Sequence, residues 1–166
     1  MNNHQHLADR RPQFITVFCD ASHCPKTLAG GWAVWMKHGV PAITQRLSGA
    51  LFSVKDSHFA EIVALEKALD YIETNLDVTN QIVVIESDCQ GAMKSIEKRA
   101  EALKMRGAKH VKLKWVKGHQ GVKCARSSVN TWCDKEAKRH MRLTRDRIIR
   151  QSNSCSTIYG PSEVAS

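Results

Sequence analysis

Four acidic residues stand where carboxylates could do chemistry. Asp20 ends the β-branched and aromatic stretch that begins at Phe14, and Asp88 follows closely on the apolar run Ile82-Val83-Val84-Ile85. An acid at the end of an apolar strand is costly unless it is solvated, paired or bound to a metal. Glu61 lies in the first turns of an amphipathic helical segment, and Asp134 in the first turns of a basic one. Taken singly, each has a plain role as an exposed loop residue, a helix cap, or an acid favoured by the helix dipole. Taken together, three or four converging carboxylates would repel one another unless a cation held them, so convergence predicts a divalent metal. Mg²⁺ suits all-oxygen sites that keep waters and substrate phosphates. Two such ions about 4 Å apart would clamp an in-line phosphoryl displacement. The acids are separated by 41, 27 and 46 residues, so only the fold can bring them together.

The elements that must do so are legible in outline. Phe14 to Asp20 is apolar on both faces, the pattern of a buried strand. Gly30-Gly31 opens a second strand over Trp32 to Lys37, His38-Gly39 makes a turn, and a third strand covers Ala42 to Leu47. The period then changes. Phe59, Ile62, Leu65, Leu69, Ile72 and Leu76 recur every three or four residues, which predicts a helix with one apolar stripe, capped by Asp56 or Ser57. Gln81 to Glu86 reads as a buried strand and Gln90 to Met105 as a helix stopped by Gly107. His110 to Val116 alternates as a half-exposed strand. Lys117 to Ser128 reads as a loop and Asn130 to Arg150 as a basic helix. Three strands, then helix, strand, helix, strand, helix imply an α/β fold with a mixed sheet covered by helices. If the strands ending in Asp20 and Asp88 are adjacent and parallel, both carboxylates emerge at one edge, where ligands bind in such sheets. Residues 1–11 are expected to be a loose tail, 12–150 the folded domain, and 151–166, rich in serine, a disordered tail.

Composition narrows the function classes. At 166 residues, 42% hydrophobic and 25% charged, the chain can bury a real core, so wholesale disorder is excluded. No apolar run approaches the ~20 residues that span a bilayer. The polar N-terminus has no signal-peptide core, so a cytoplasmic protein is expected. None of the six cysteines forms a C-x-x-C pair, and reduced thiols are expected. The net charge is +9, unevenly placed. Residues 94–150 hold 18 of the 25 bases against five acids, a local +13, and the remainder is −4. Such a split points to a polyanionic partner. Lys135, Lys138, Arg139, Arg142 and Arg145 recur at three- and four-residue spacing and so share about one helix face.

Five blocks in order carry a resemblance: Phe18-Cys19-Asp20-Ala21-Ser22, Ala60-Glu61-Ile62-Val63-Ala64-Leu65, Glu86-Ser87-Asp88-Cys89-Gln90, Trp115-Val116-Lys117-Gly118-His119-Gln120-Gly121 and Asn130-Thr131-Trp132-Cys133-Asp134. Over about residues 14–141 the chain resembles ribonuclease H, type 1. The resemblance implies a ribonuclease H-like fold, a five-stranded mixed sheet in which an antiparallel meander of three strands is joined by two parallel ones. It implies hydrolysis of the RNA strand of RNA–DNA hybrids with two Mg²⁺ ions, or Mn²⁺ in their place, leaving 5′-phosphate and 3′-hydroxyl ends. Asp20, Glu61, Asp88 and Asp134 match the family's metal-binding carboxylates, and His119 a histidine that assists proton transfer or product release. Ser22, Ser57, His58, Gln90, Lys117 and Asn130 fall at nucleic-acid-contacting positions. Amide side chains such as Gln90 and Asn130 suit the shallow minor groove of an A-form-like hybrid, where 2′-hydroxyls are displayed. The sequence departs from the family's usual glycine-rich turn, with Ala21, His23, Cys24 and Pro25 there, and it lacks a basic helical insertion between Asp88 and His119. A monomer is expected. The competing readings are a related nuclease that cuts DNA and a non-catalytic nucleic-acid-binding module.

Overall fold

The structure is a computed structural model that describes residues 12–117 and 125–156. Along the chain run β1 (Phe14–Cys24), β2 (Ala29–His38), β3 (Ile43–Leu51), α1 (Ser57–Asn75), β4 (Ile82–Ser87), α2 (Gln90–Met105), β5 (His110–Trp115) and α3 (Ala125–Ser156). The five strands form one mixed sheet in the order β3-β2-β1-β4-β5. β1 pairs antiparallel with β2 and β2 with β3, while β4 is parallel to both β1 and β5. This is the mixed sheet the element order implies.

Alternation along the central strands assigns the helices to faces. Ile15, Val17 and Cys19 of β1 and Val34 and Met36 of β2 pack in one cluster with Leu65, Leu69 and Ile72 of α1 and Ile96 of α2. Phe18 and Ala33 point the other way and pack with Cys133 and Ala137 of α3. The sheet thus separates α1 and α2 from α3, which fits a strand apolar on both faces.

Small residues let α3 lie close on the sheet. A Cβ added at Gly31 would fall 2.2 Å from the Ala137 carbonyl oxygen and 2.6 Å from the Met141 nitrogen. Two backbones meet here at a separation only glycine permits. Cys133 also reaches across, its Sγ donating to the Phe18 carbonyl at 3.6 Å.

Several boundaries differ from expectation. α1 begins as read, with Asp56 Oδ1 accepting from the Phe59 N–H at 2.7 Å. Its buried side, however, is Ala60, Ala64, Leu65, Ala68, Leu69 and Ile72, and Phe59 is 40% exposed. Ala60, Ala64 and Ala68 are fully buried on this side, so the large residues alone misplace the stripe. α2 matches its expected span, and Gly107 follows it at φ +98°. β1 and β3 are longer than expected, because each continues its antiparallel ladder with β2 beyond its apolar core.

The final helix is the main correction. Expected over 130–150, it spans Ala125–Ser156, so 125–128 are not loop and 151–156 are not tail. No glycine or proline interrupts this stretch, and Ser152 and Ser154 hydroxyls donate back to the Ile148 and Arg150 carbonyls. Residues 1–11 and 157–166 lie outside the described residues. No helix among the described residues is long and apolar enough to cross a membrane.

Candidate active site

Register builds the site. In the parallel ladder Phe18 lies opposite Glu86, and the same offset carried two residues further sets Asp20 beside Asp88. Glu61 reaches them from the second turn of α1. One carboxylate oxygen from each of Asp20, Glu61 and Asp88 lies within 4.8 Å of the other two. Asp134 does not join this group. It sits on α3 with its Oδ1 2.7 Å from Lys138 Nζ, yet near enough that its charge acts on Asp20.

Backbone and burial shape the cluster. The Ala21 N–H donates to Asp20 Oδ1 at 2.8 Å and to Glu61 Oε1 at 3.2 Å. Asp20 is 8% exposed. Burial, and then the charges of Asp88 and Asp134, push its carboxyl up to about 7. Burial, then Asp20 and Asp88, push Glu61 up to about 9. The Asp20–Glu61 hydrogen bond lowers Asp20 and raises Glu61, so Glu61 holds its proton more tightly.

Glu61 Oε2 is buried with no hydrogen-bond partner. A buried oxygen left unmatched is unfavourable unless something else meets it. The donor set is all oxygen and anionic, which fits a hard divalent cation and not a thiolate-bound one. Asp20, Glu61 and Asp88 could hold such an ion, with Asp134 at its margin.

Of the other expected site residues, Ser22, Ser57, His58 and Asn130 share an element with one of these acids, Gln90 opens the helix that follows Asp88, and Lys117 lies apart, beyond β5. Ser22 follows Asp20 by two positions on β1 and so shares its side of the strand. Ser57 and His58 are exposed, one turn before Glu61 on α1. Gln90 opens α2 two residues after Asp88 and is exposed. Asn130 lies on α3 one turn before Asp134, inside the helix and not capping it. Lys117 is exposed beyond β5. His119 lies outside the described residues.

Two contacts went unread in the sequence. Trp115, 48% exposed at the end of β5, donates its indole N–H to the Asp88 carbonyl at 3.0 Å. His58 Nδ1 is 3.8 Å from Cys89 Sγ, and its ring lies so close over Gly91 that a Cβ there would come within 2.8 Å. An alternating strand pattern marks Trp115 as a strand residue and carries no sign of its partner, which is 27 residues away.

Known proteins agree with this architecture. The family model described as RNase H matches residues 12–110, from β1 into the start of β5. No curated protein matches the chain. Among solved structures, it is similar to one described as the crystal structure of LC11-RNase H1 in complex with RNA/DNA hybrid. The two share 14% identity at a TM-score of 0.57, covering 78% of this chain and 97% of the other. At that identity the likeness is one of fold.

Proposed function

The chain belongs to the RNase H family, and from that premise we propose that it is an endoribonuclease hydrolysing the RNA strand of RNA–DNA hybrids to 5′-phosphate and 3′-hydroxyl ends. The observation that carries the reading is the carboxylate group of Asp20, Glu61 and Asp88, with its buried, unmatched Glu61 oxygen. These three and Asp134 would hold two Mg²⁺ ions, or Mn²⁺ in their place. When bound, the ions supply positive charge against the attacking and leaving oxygens of an in-line displacement.

The chain's own residues do the rest. Asp20 and Glu61 give up their protons as the site is loaded, because two buried acids retain them only while uncompensated. The Ala21 N–H keeps both carboxylates turned inward. Ser57 and His58 on α1, Gln90 on α2 and Asn130 on α3 present polar side chains around the acids, where a minor groove with 2′-hydroxyls offers matching partners. Ser22 and Lys117 would add contacts to the strands, and His119 would serve proton transfer or product release, work suited to an imidazole near pH 7. The protein is read as a cytoplasmic monomer.

The test is direct. Labelled RNA–DNA hybrid, duplex RNA and duplex DNA are each incubated with the protein in Mg²⁺, Mn²⁺ or chelator. Cleavage confined to the RNA of the hybrid, and abolished by chelator, is the expected outcome. Cleavage of DNA, or of nothing, overturns the reading.

A further inference from the structure

Between Asp134 and Arg150, α3 carries seven bases and three acids. Bases of the same helix already engage every one of those acids. Lys138 lies 2.7 Å from Asp134, Arg139 2.6 Å from Glu136 and Arg145 2.9 Å from Asp146. Arg147 lies over the Phe52 ring. Lys135 and Arg142 are both exposed and have no ion-pair partner among the described residues. They are seven positions apart, hence about two turns along one face. With Lys138, Arg139 and Leu143 they line an open depression of about 400 Å³. Cys133, Ala137 and Thr144 are buried on the opposite side of the helix, so this face looks to solvent.

We propose that this face of α3 is a contact surface for the phosphate backbone of a nucleic-acid duplex, supplying affinity while the carboxylates supply chemistry. The proposal rests on the hybrid-cleaving reading for which duplex is bound, and otherwise on charge and geometry. Unpaired cations spaced along one face of a helix match a partner whose charge also repeats along a line. The depression is open and no buried polar side chain lines it, so it is not built to enclose a small anion. Leu143 is its single apolar residue, too little to enter a membrane. The face is also continuous with the site, because Lys138 belongs to it and pairs with Asp134. A duplex laid along it therefore passes beside Asp134, at the margin of the carboxylate group.

Exposed helix positions tolerate substitution, so the double variant Lys135→Gln/Arg142→Gln should keep the native Tm. Its binding is read by fluorescence anisotropy in chelator, where nothing is cut, on hybrid, duplex RNA and duplex DNA over a salt series. Each lost phosphate contact should flatten the slope of log K against log[salt] by about 0.9, so the pair should remove nearly two units on all three duplexes. Lys135→Arg/Arg142→Lys should restore the slope, and turnover at saturating hybrid should stay within about twofold in both. A wild-type slope in the Gln variant overturns the proposal, as does a loss confined to one duplex. If native protein cuts hybrid while the Gln variant keeps the wild-type slope, the surface is wrong and the activity stands. If native protein cuts nothing yet the slope falls, the surface stands and the activity reading is wrong.

Discussion

Glu61 is a carboxylate that the fold holds in its neutral form. Its ordinary value is 4.5 and the site raises it to about 9, while Asp20 rises from 3.8 to about 7. Both shifts are upward, so between about pH 4 and 9 this pair binds more protons in the folded protein than in the unfolded chain. The contribution of this pair to the stability of the cation-free protein should therefore fall as pH rises through that window. Divalent cation should restore it, and the Tm gain on adding Mg²⁺ should be larger at pH 8.5 than at pH 6. Glu61→Gln mimics the protonated acid. It should raise the cation-free Tm by about 2–4 °C at pH 8, the effect of about 1 kcal/mol in a chain this size, with little change at pH 5. Cleavage and the Mg²⁺-dependent Tm gain should both be lost, and an unchanged Mg²⁺ response would remove Glu61 from the ligand set. Trp115 acts one step further out. Trp115→Phe deletes the bond to the Asp88 carbonyl, and such outer contacts typically cost about 10–100-fold in metal affinity or activity. The expected mark is a higher Mg²⁺ concentration for half-maximal Tm shift, with the starting Tm nearly unchanged. The acids were legible as candidates because an acid closing an apolar strand is anomalous. Trp115 was not, because a side-chain bond to a distant carbonyl leaves no periodic trace.

Elements with strong local punctuation were the most legible. α2 has Gly107 at its end, and α1 has Asp56 at its start, and both boundaries follow from backbone needs that a sequence displays. Both ends of α3 are hidden in the sequence because its polar termini carry neither an apolar stripe nor a stop signal. The packing of α3 on β2 was equally hidden. Gly31 looked like the start of a strand, whereas its absent side chain is what lets the Ala137 backbone approach. Gly31→Ala should destabilise by about 1–3 kcal/mol, the usual cost of overpacking, and denaturant unfolding would show a lower midpoint at unchanged m-value. A wild-type midpoint would mean that α3 can move outward freely. Gly49→Ala makes a useful comparison, since its added Cβ would first meet the Trp32 indole, at 2.8 Å, a side chain and not backbone.

Across the whole molecule, the site is a product of topology. Parallel pairing of β1 with β4 was conditional in the sequence, since strand neighbours are chosen by packing of the entire sheet. Charge asymmetry was legible directly, and its concentration on α3 needed the structure only to show which cations remain unpaired. The pairing that aligns Asp20 with Asp88 joins Phe14 to Ile82 across a loop of 68 residues, with all of the meander and α1 inside it. Contacts of such span form against a loop-closure entropy that local helices and hairpins do not face. Refolding from denaturant should accordingly regain helical circular dichroism before it regains Mg²⁺-dependent protection from proteolysis. Simultaneous recovery would indicate that β1 and β4 meet in the earliest collapse. A chain stalled short of that pairing would hold its helices and its thiols but have nowhere to place a cation, so partly folded molecules of this protein should be inert toward nucleic acid strands they still attract.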